Sequence, residues 1–236
     1  NNAKKIIKEK KINKNLVIDI RNISKLINSL RGNKFIIDNK TCSIYHENII
    51  KSKFKILDKD DPIYKLKSIK NLCEINHMIE AHKKDGLALT KFIYWIKNIN
   101  KKTITEVAAQ NKLEKFRKLN TDYLFPSFNT IAGSGSNGAI VHYRATTKAT
   151  KIIKKKDVFL IDSGGQYRYG TTDVTRTICF SNQKLSIKNA YTNVLKGHIA
   201  VALTNLNKKN TGKKIDISAR KFLKKEGLDY AHGTGH

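Results

Sequence analysis

Apolar residues recur at helical spacing from Leu66 to Ile99, at Ile69, Leu72, Ile75, Ile79, Leu89, Phe92, Ile93 and Ile96, with an interruption near Gly86. The spacing predicts one long or broken helix. Thr103 and Glu106 read as a capping box that opens a second helix through Arg117. Lys184 to Leu206 and Asp216 to Glu226 predict two more, the last stopped at Gly227. Between these helical stretches the pattern changes. The segment VFLIDSGGQYRYGTTDVTRTI (Val158 to Ile178) has an apolar first arm, a middle rich in turn formers and a β-branched second arm, so it predicts a hairpin. Nearer the start, residues 1 to about 61 alternate lysine-rich polar sequence with short apolar runs, and KFIID followed by KTCSIYHENI reads as a strand and then a helix. DKDDP (Asp58 to Pro62) reads as a linker. The chain is therefore expected to hold the tail of one domain in residues 1–61 and a second domain in 62–236.

The hairpin carries two acids, Asp162 and Asp173. A register symmetric about its loop would oppose them with Cβ atoms roughly 5 Å apart, where like charges repel unless a cation lies between them. Two carboxylates so placed could share a pair of divalent ions, which two-metal hydrolases hold about 3.5–4 Å apart. The alternative is that both acids cap turns. The chain ends in HGTGH, with His232 and His236 in a glycine-rich run where backbone can approach a ligand and an imidazole can bind a metal. Gly233 and Gly235 argue against a helical zinc pair, and no HExxH glutamate is present. Asp162, Asp173 and a histidine suit manganese, cobalt or zinc.

GSGSNG (Gly133 to Gly138) matches a dinucleotide or kinase glycine pattern, but the next residues, AIVHY, are strand-like and do not open a helix. These glycines are better read as a turn delivering His142 from the next strand into a pocket, although a lone histidine is usually structural. His46, His77, His82 and His198 are read as structural.

Charge changes the picture less than its size suggests. The net charge is +28, and of the 47 Lys+Arg only seven are arginine. Lysine is spread over the whole chain with abundant Asn and Ile, which points to an A+T-rich coding bias. No aromatic-basic RNA motif is visible, so no specific nucleic-acid partner is expected, only weak salt-sensitive attraction to polyanions. Apolar runs such as FIYWI and VFLI fall far short of the ~20 residues a membrane helix needs. Cys42, Cys73 and Cys179 form no C-x-x-C pair and read as reduced thiols of a cytosolic protein.

Several stretches in order, KLKSIKNLCEINHMIEAHKKDGLALTKFIYWI, PSFNTIAGSGSNGAIVHYRAT, the Asp162 to Ile178 hairpin, VLKGHIA and GLDYAHGTGH, resemble the long-form Xaa-Pro aminopeptidase (aminopeptidase P) family. These are pita-bread metallopeptidases related to prolidase and methionine aminopeptidase. The resemblance covers nearly all of residues 60 to 236. It implies an α/β (α+β) pita-bread catalytic domain behind the remnant of a creatinase-like N-terminal domain. It also implies an enzyme that removes the residue before a proline at position two of a peptide. In that family two aspartates, one histidine and two glutamates hold two metal ions, manganese by expectation. The first three map onto Asp162, Asp173 and His236, and the glutamates lie beyond His236, so the chain is expected to be a fragment, inactive alone. His142 and His232 match the histidines that hydrogen-bond substrate. A homodimer is left open. A prolidase, a methionine aminopeptidase or a noncatalytic pita-bread binding module are the alternatives.

Overall fold

The computed structural model describes residues 7–9, 12–13, 17–99, 103–206 and 210–235, and the chain divides at Asn71–Leu72 into two units. In the first, α1 (Ile23–Ser29) precedes β1 (Lys34–Ile37), α2 (Ile44–Lys51) and β2 (Lys55–Asp58). The strands pair in parallel, Lys34 against Lys55 through Ile37 against Asp58. Parallel pairing requires a crossover, which α2 supplies. Ile27, Ile37, Ile50 and Phe54 form the small core beneath it. Within DKDDP, Asp58 ends β2, and the Asp61 carboxylate caps α3 (Pro62–Ser68) by accepting from Ile63 N at 2.8 Å. Pro62 occupies the first helical turn, where its missing N–H costs nothing.

The second unit opens with α4 (Leu72–Asn98), a single helix that runs through Gly86 without a break. Its buried stripe is Ala81, Asp85, Ala88, Leu89, Phe92 and Ile96, so the interruption in apolar spacing marks an acid on the inward face rather than a helix end. Next comes α5 (Glu106–Arg117), whose N-cap is Thr105, not Thr103. The Thr105 hydroxyl accepts from Ala108 N at 3.1 Å, and Glu106 becomes the first helical residue. The stripe of α5 is Glu106, Ala109, Leu113 and Arg117, with a charge at each end.

The strands are β3 (Tyr123–Pro126), β4 (Ile131–Ser134), β5 (Val158–Ser163), β6 (Gly165–Tyr167), β7 (Gly170–Thr171) and β8 (Val174–Cys179). They form two antiparallel three-stranded sheets, β4-β5-β8 and β3-β6-β7. Burial along β5 alternates strictly: Phe159, Ile161 and Ser163 are buried, and Val158, Leu160 and Asp162 less so. Phe159 and Ile161 pack with Ala132 and Ile178 against Leu89, Phe92, Ile96 and Leu113 of α4 and α5. Because neighbouring side chains on a strand point to opposite faces, Asp162 lies on the face turned away from those helices.

After β8 come α6 (Leu185–Ala202) and α7 (Gly212–Lys224). They touch where Gly197 meets Ala219, so closely that a Cβ at Gly197 would lie 2.1 Å from the Ala219 carbonyl oxygen. Beyond α7 the chain reverses at Gly227, with φ of +68°.

Candidate metal centre

The hairpin is present, and its register is a finding in itself. Val158 pairs with Cys179, and the pairs step inward to Asp162 with Thr175 and Ser163 with Val174. After Gly164 the same register continues in the other sheet: Thr172 N donates to Gly165 O at 2.9 Å, and Gln166 pairs with Thr171 and Tyr167 with Gly170. One long hairpin therefore crosses both sheets and closes at Arg168–Tyr169. Asp162 opposes Thr175 rather than Asp173, which corrects the symmetric pairing expected from sequence. The offset is two residues, and an even shift keeps a side chain on its face. One step past Ser163–Val174, Asp173 falls opposite Gly164 and diagonal to Asp162, where residues lie about 7–8 Å apart and their Cβ atoms somewhat closer. That spacing suits two carboxylates reaching toward ions between them better than two carboxylates in contact. Thr175 Oγ1 donates to Asp162 Oδ1 at 2.7 Å, orienting the carboxylate and leaving Oδ2 for another partner.

Gly164 makes the crossing feasible. A Cβ there would lie 1.9 Å from the Thr172 carbonyl oxygen and 2.2 Å from Ser127 Oγ, so only glycine permits the close approach at the acids' own level. Directly behind Asp162, on the helix side, Ser163 Oγ accepts from Arg117 Nη2 at 3.0 Å. Arg117 also makes a two-point pair with Asp85, Nε to Oδ1 at 2.6 Å and Nη2 to Oδ2 at 3.1 Å. The Tyr167 hydroxyl donates to Asp85 Oδ1 at 2.9 Å. Both charged side chains are 1 % exposed, and Arg117 Nη1 is buried with no acceptor among the described residues. Burial first, then the Asp85 charge, pushes the Tyr167 phenol well above its ordinary range.

His142 does not arrive on a strand. The GSGSNG run forms a 3-10 turn, Gly135–Ala139, and the chain then bends so that His142 takes φ of +56° and stands exposed. Few residues bearing a Cβ adopt that backbone, and the neighbouring side chain helps to hold it. Tyr143 OH donates to Glu106 Oε2 at 2.8 Å. The buried Glu106 carboxylate also accepts from Ser134 N, Lys151 N and the Asn137 amide. Burial and this carboxylate together push the Tyr143 phenol up. Gly138 rests over Leu160, which shares the Asp162 face two residues earlier on the strand.

His232 lies beyond α7, exposed, in a segment held by Arg220. His236 lies outside the described residues. Among the described residues no three His, Cys, Asp or Glu side chains gather closely enough to hold a metal. The structure thus brings Asp162 and Asp173 to one face of the hairpin. Sequence reasoning missed Asp85, Glu106, Arg117 and Arg220. The signal for the first three was a charged residue at an inward stripe position of a helix.

The model of metallopeptidase family M24 matches residues 76–236. The chain belongs to this family. It is 47% identical over 185 residues to a probable Xaa-Pro aminopeptidase P of Paracoccidioides brasiliensis, covering 77% of this chain and 30% of that protein. A protein of the same description from Podospora anserina is 45% identical over 178 residues, covering 74% of this chain and 26% of its own length. Among solved structures, the X-prolyl aminopeptidase of Caenorhabditis elegans, described as a cytosolic enzyme with a di-nuclear active site, superimposes with a TM-score of 0.73. It is 34% identical, over 80% of this chain and 31% of that one. The prolidase of Pyrococcus furiosus superimposes at 0.71, 26% identical, over 89% and 60%. The fold is the mixed α/β pita-bread fold of this family, and the chain spans about 30% of the length of the first of these relatives.

Proposed function

We propose that the protein carrying this chain is a metal-dependent aminopeptidase that releases the N-terminal residue from peptides with proline at the second position. The observation that carries the reading is the hairpin register, which sets Asp162 and Asp173 diagonally on one sheet face within a chain 47% identical to a probable Xaa-Pro aminopeptidase P. Hard carboxylate oxygens on one face fit two divalent ions of the manganese, cobalt or zinc kind, with manganese as the proposed metal and His236 as a further ligand. When bound, such ions polarise a peptide carbonyl and supply a hydroxide. Asp173 and Asp162, the latter steadied by Thr175, would hold the ions. His142 and His232 would bind the substrate and move a proton toward the departing proline nitrogen. Among the described residues no helix is long and apolar enough to cross a membrane. The cytosol is the proposed location, and a homodimer is left open.

The test assays this chain, and the product of the full reading frame that encodes it, with manganese on a tripeptide bearing proline second and on a proline-free control. The full product should cleave only the first and the chain alone neither. No cleavage by the full product with any divalent metal would sink the reading. An Xaa-Pro dipeptide is assayed beside them, and its cleavage with the tripeptide left intact would replace the reading with a prolidase.

A further inference from the structure

Arg220 of α7 directs both terminal guanidinium nitrogens at the segment beyond the helix and Nε at Asp216 of its own helix. Nε donates to both Asp216 oxygens at 2.8 and 3.0 Å, Nη1 to Asp229 Oδ1 at 2.9 Å and to the Tyr230 carbonyl at 2.6 Å, and Nη2 to the His232 carbonyl at 2.7 Å. The guanidinium carbon lies 4.0 Å over the Tyr230 ring, and that ring stacks on the His232 imidazole with centroids 4.8 Å apart and planes 25° apart. Thr234 closes the loop: its hydroxyl donates to Asp216 and meets the Tyr230 hydroxyl at 2.7 Å. A cation, a phenol and an imidazole thus form three layers, with two main-chain carbonyls tied to the first.

The imidazole has a defined polarity. His232 Nδ1 lies 2.6 Å from the Gly233 carbonyl oxygen, which can only accept, so in the neutral ring Nδ1 carries the hydrogen and Nε2 the lone pair. We propose that Arg220 is the positioning residue for His232. By fixing the carbonyls of Tyr230 and His232 and the stacked rings, it holds the imidazole in the Nδ1–H form, so that Nε2 accepts a hydrogen bond from an N–H or O–H of the peptide. The assignment rests on the aminopeptidase reading for the identity of the peptide. Holding helix and loop together would need only an ion pair. The planar fork that reaches two carboxylates and two carbonyls at once is a property of arginine that lysine lacks.

Nitrogen-15 NMR of the histidine side chains in this chain tests the inference, with His232→Gln identifying the signal. The wild-type ring should be Nδ1–H when neutral, and Arg220→Lys should move it toward the Nε2–H form that a free imidazole favours. In the full reading-frame product Arg220→Lys should lower kcat roughly 10- to 100-fold with the bound manganese unchanged. If Arg220→Lys fails to fold, Asp229→Asn removes one guanidinium partner and leaves the helix intact, and it should shift the tautomer in the same direction by less. A wild-type Nε2–H ring, or a tautomer unmoved in a folded Arg220→Lys and in Asp229→Asn, overturns the proposal. The tautomer is read without peptide, so a full product that cleaves nothing would sink the aminopeptidase reading and leave this one standing.

Discussion

Two arginines hold the segments that carry Asp162 and His232 in opposite ways. Arg117 is sealed in the core and fixes Ser163, the residue behind Asp162, whereas Arg220 lies near the surface, 14% exposed, and fixes the carbonyl of His232. Both use the guanidinium fork on carboxylates, so the difference is solvent. In the core, Arg117 and Asp85 give up hydration entirely, and Nη1 finds no acceptor among the described residues, so the pair contributes little net stability but costs much to break. At the surface water can replace each lost bond, so breaking the Arg220 clamp should alter geometry rather than stability.

The sharpest way to break the comparison is to truncate each arginine. Arg117→Met leaves Asp85 buried and unpaired and should destabilise the second unit by about 3–5 kcal/mol, read as a lowered urea midpoint. The double variant Asp85→Leu with Arg117→Met should recover most of that loss, since neither partner of the pair is left charged and buried alone. Arg220→Met should leave the midpoint nearly in place. Equal losses from the two single variants would mean that burial is not what separates the regions.

Gly164 sharpens the comparison from the backbone side. Alanine there meets the Thr172 carbonyl and Ser127 hydroxyl at distances no Cβ tolerates, so Gly164→Ala should cost about 1–3 kcal/mol and should lower manganese affinity as the diagonal acids part. A melt and a calorimetric titration on the same sample read both. Retained affinity in a destabilised variant would show that the crossing does not set the acids.

Range decides which features the sequence discloses and which it withholds. The hairpin was legible because its turn formers and β-branched arm are local. The register was not, because it depends on closure at Arg168–Tyr169, a pair without glycine or asparagine to announce it. The helices were legible from their stripes, but Asp85, Glu106 and Arg117 interrupt those stripes, and the partners that justify them lie far along the chain. Asp85 meets Arg117 and Tyr167, 32 and 82 residues away. For the same reason AIVHY read as a strand: its β-branched run is local, whereas Glu106, 37 residues before Tyr143, folds it into a turn. Glu106→Gln turns one acceptor into a donor facing the Ser134 or Lys151 N–H. The expected cost is about 1–3 kcal/mol, together with lost activity through His142 in the full product.

The smallest effect belongs to the Arg220 clamp and is read by pH. Asp216 is held below the usual carboxylate range by the Thr234 hydroxyl and then by Arg220. Asp229 is held low by the Tyr230 N–H and then by Arg220. Carboxylates depressed in the folded state add stability that is fully present above their ordinary value of 3.8 and is lost as pH falls through the lower folded values. The carboxyl carbon signals of Asp216 and Asp229 should therefore hold steady from neutral pH down to about 4 and shift only below it. In Arg220→Met both carboxylates lose a partner, and the shift should begin at higher pH. A transition in the same place with and without the guanidinium would show that Thr234 and the Tyr230 backbone, rather than Arg220, hold the loop.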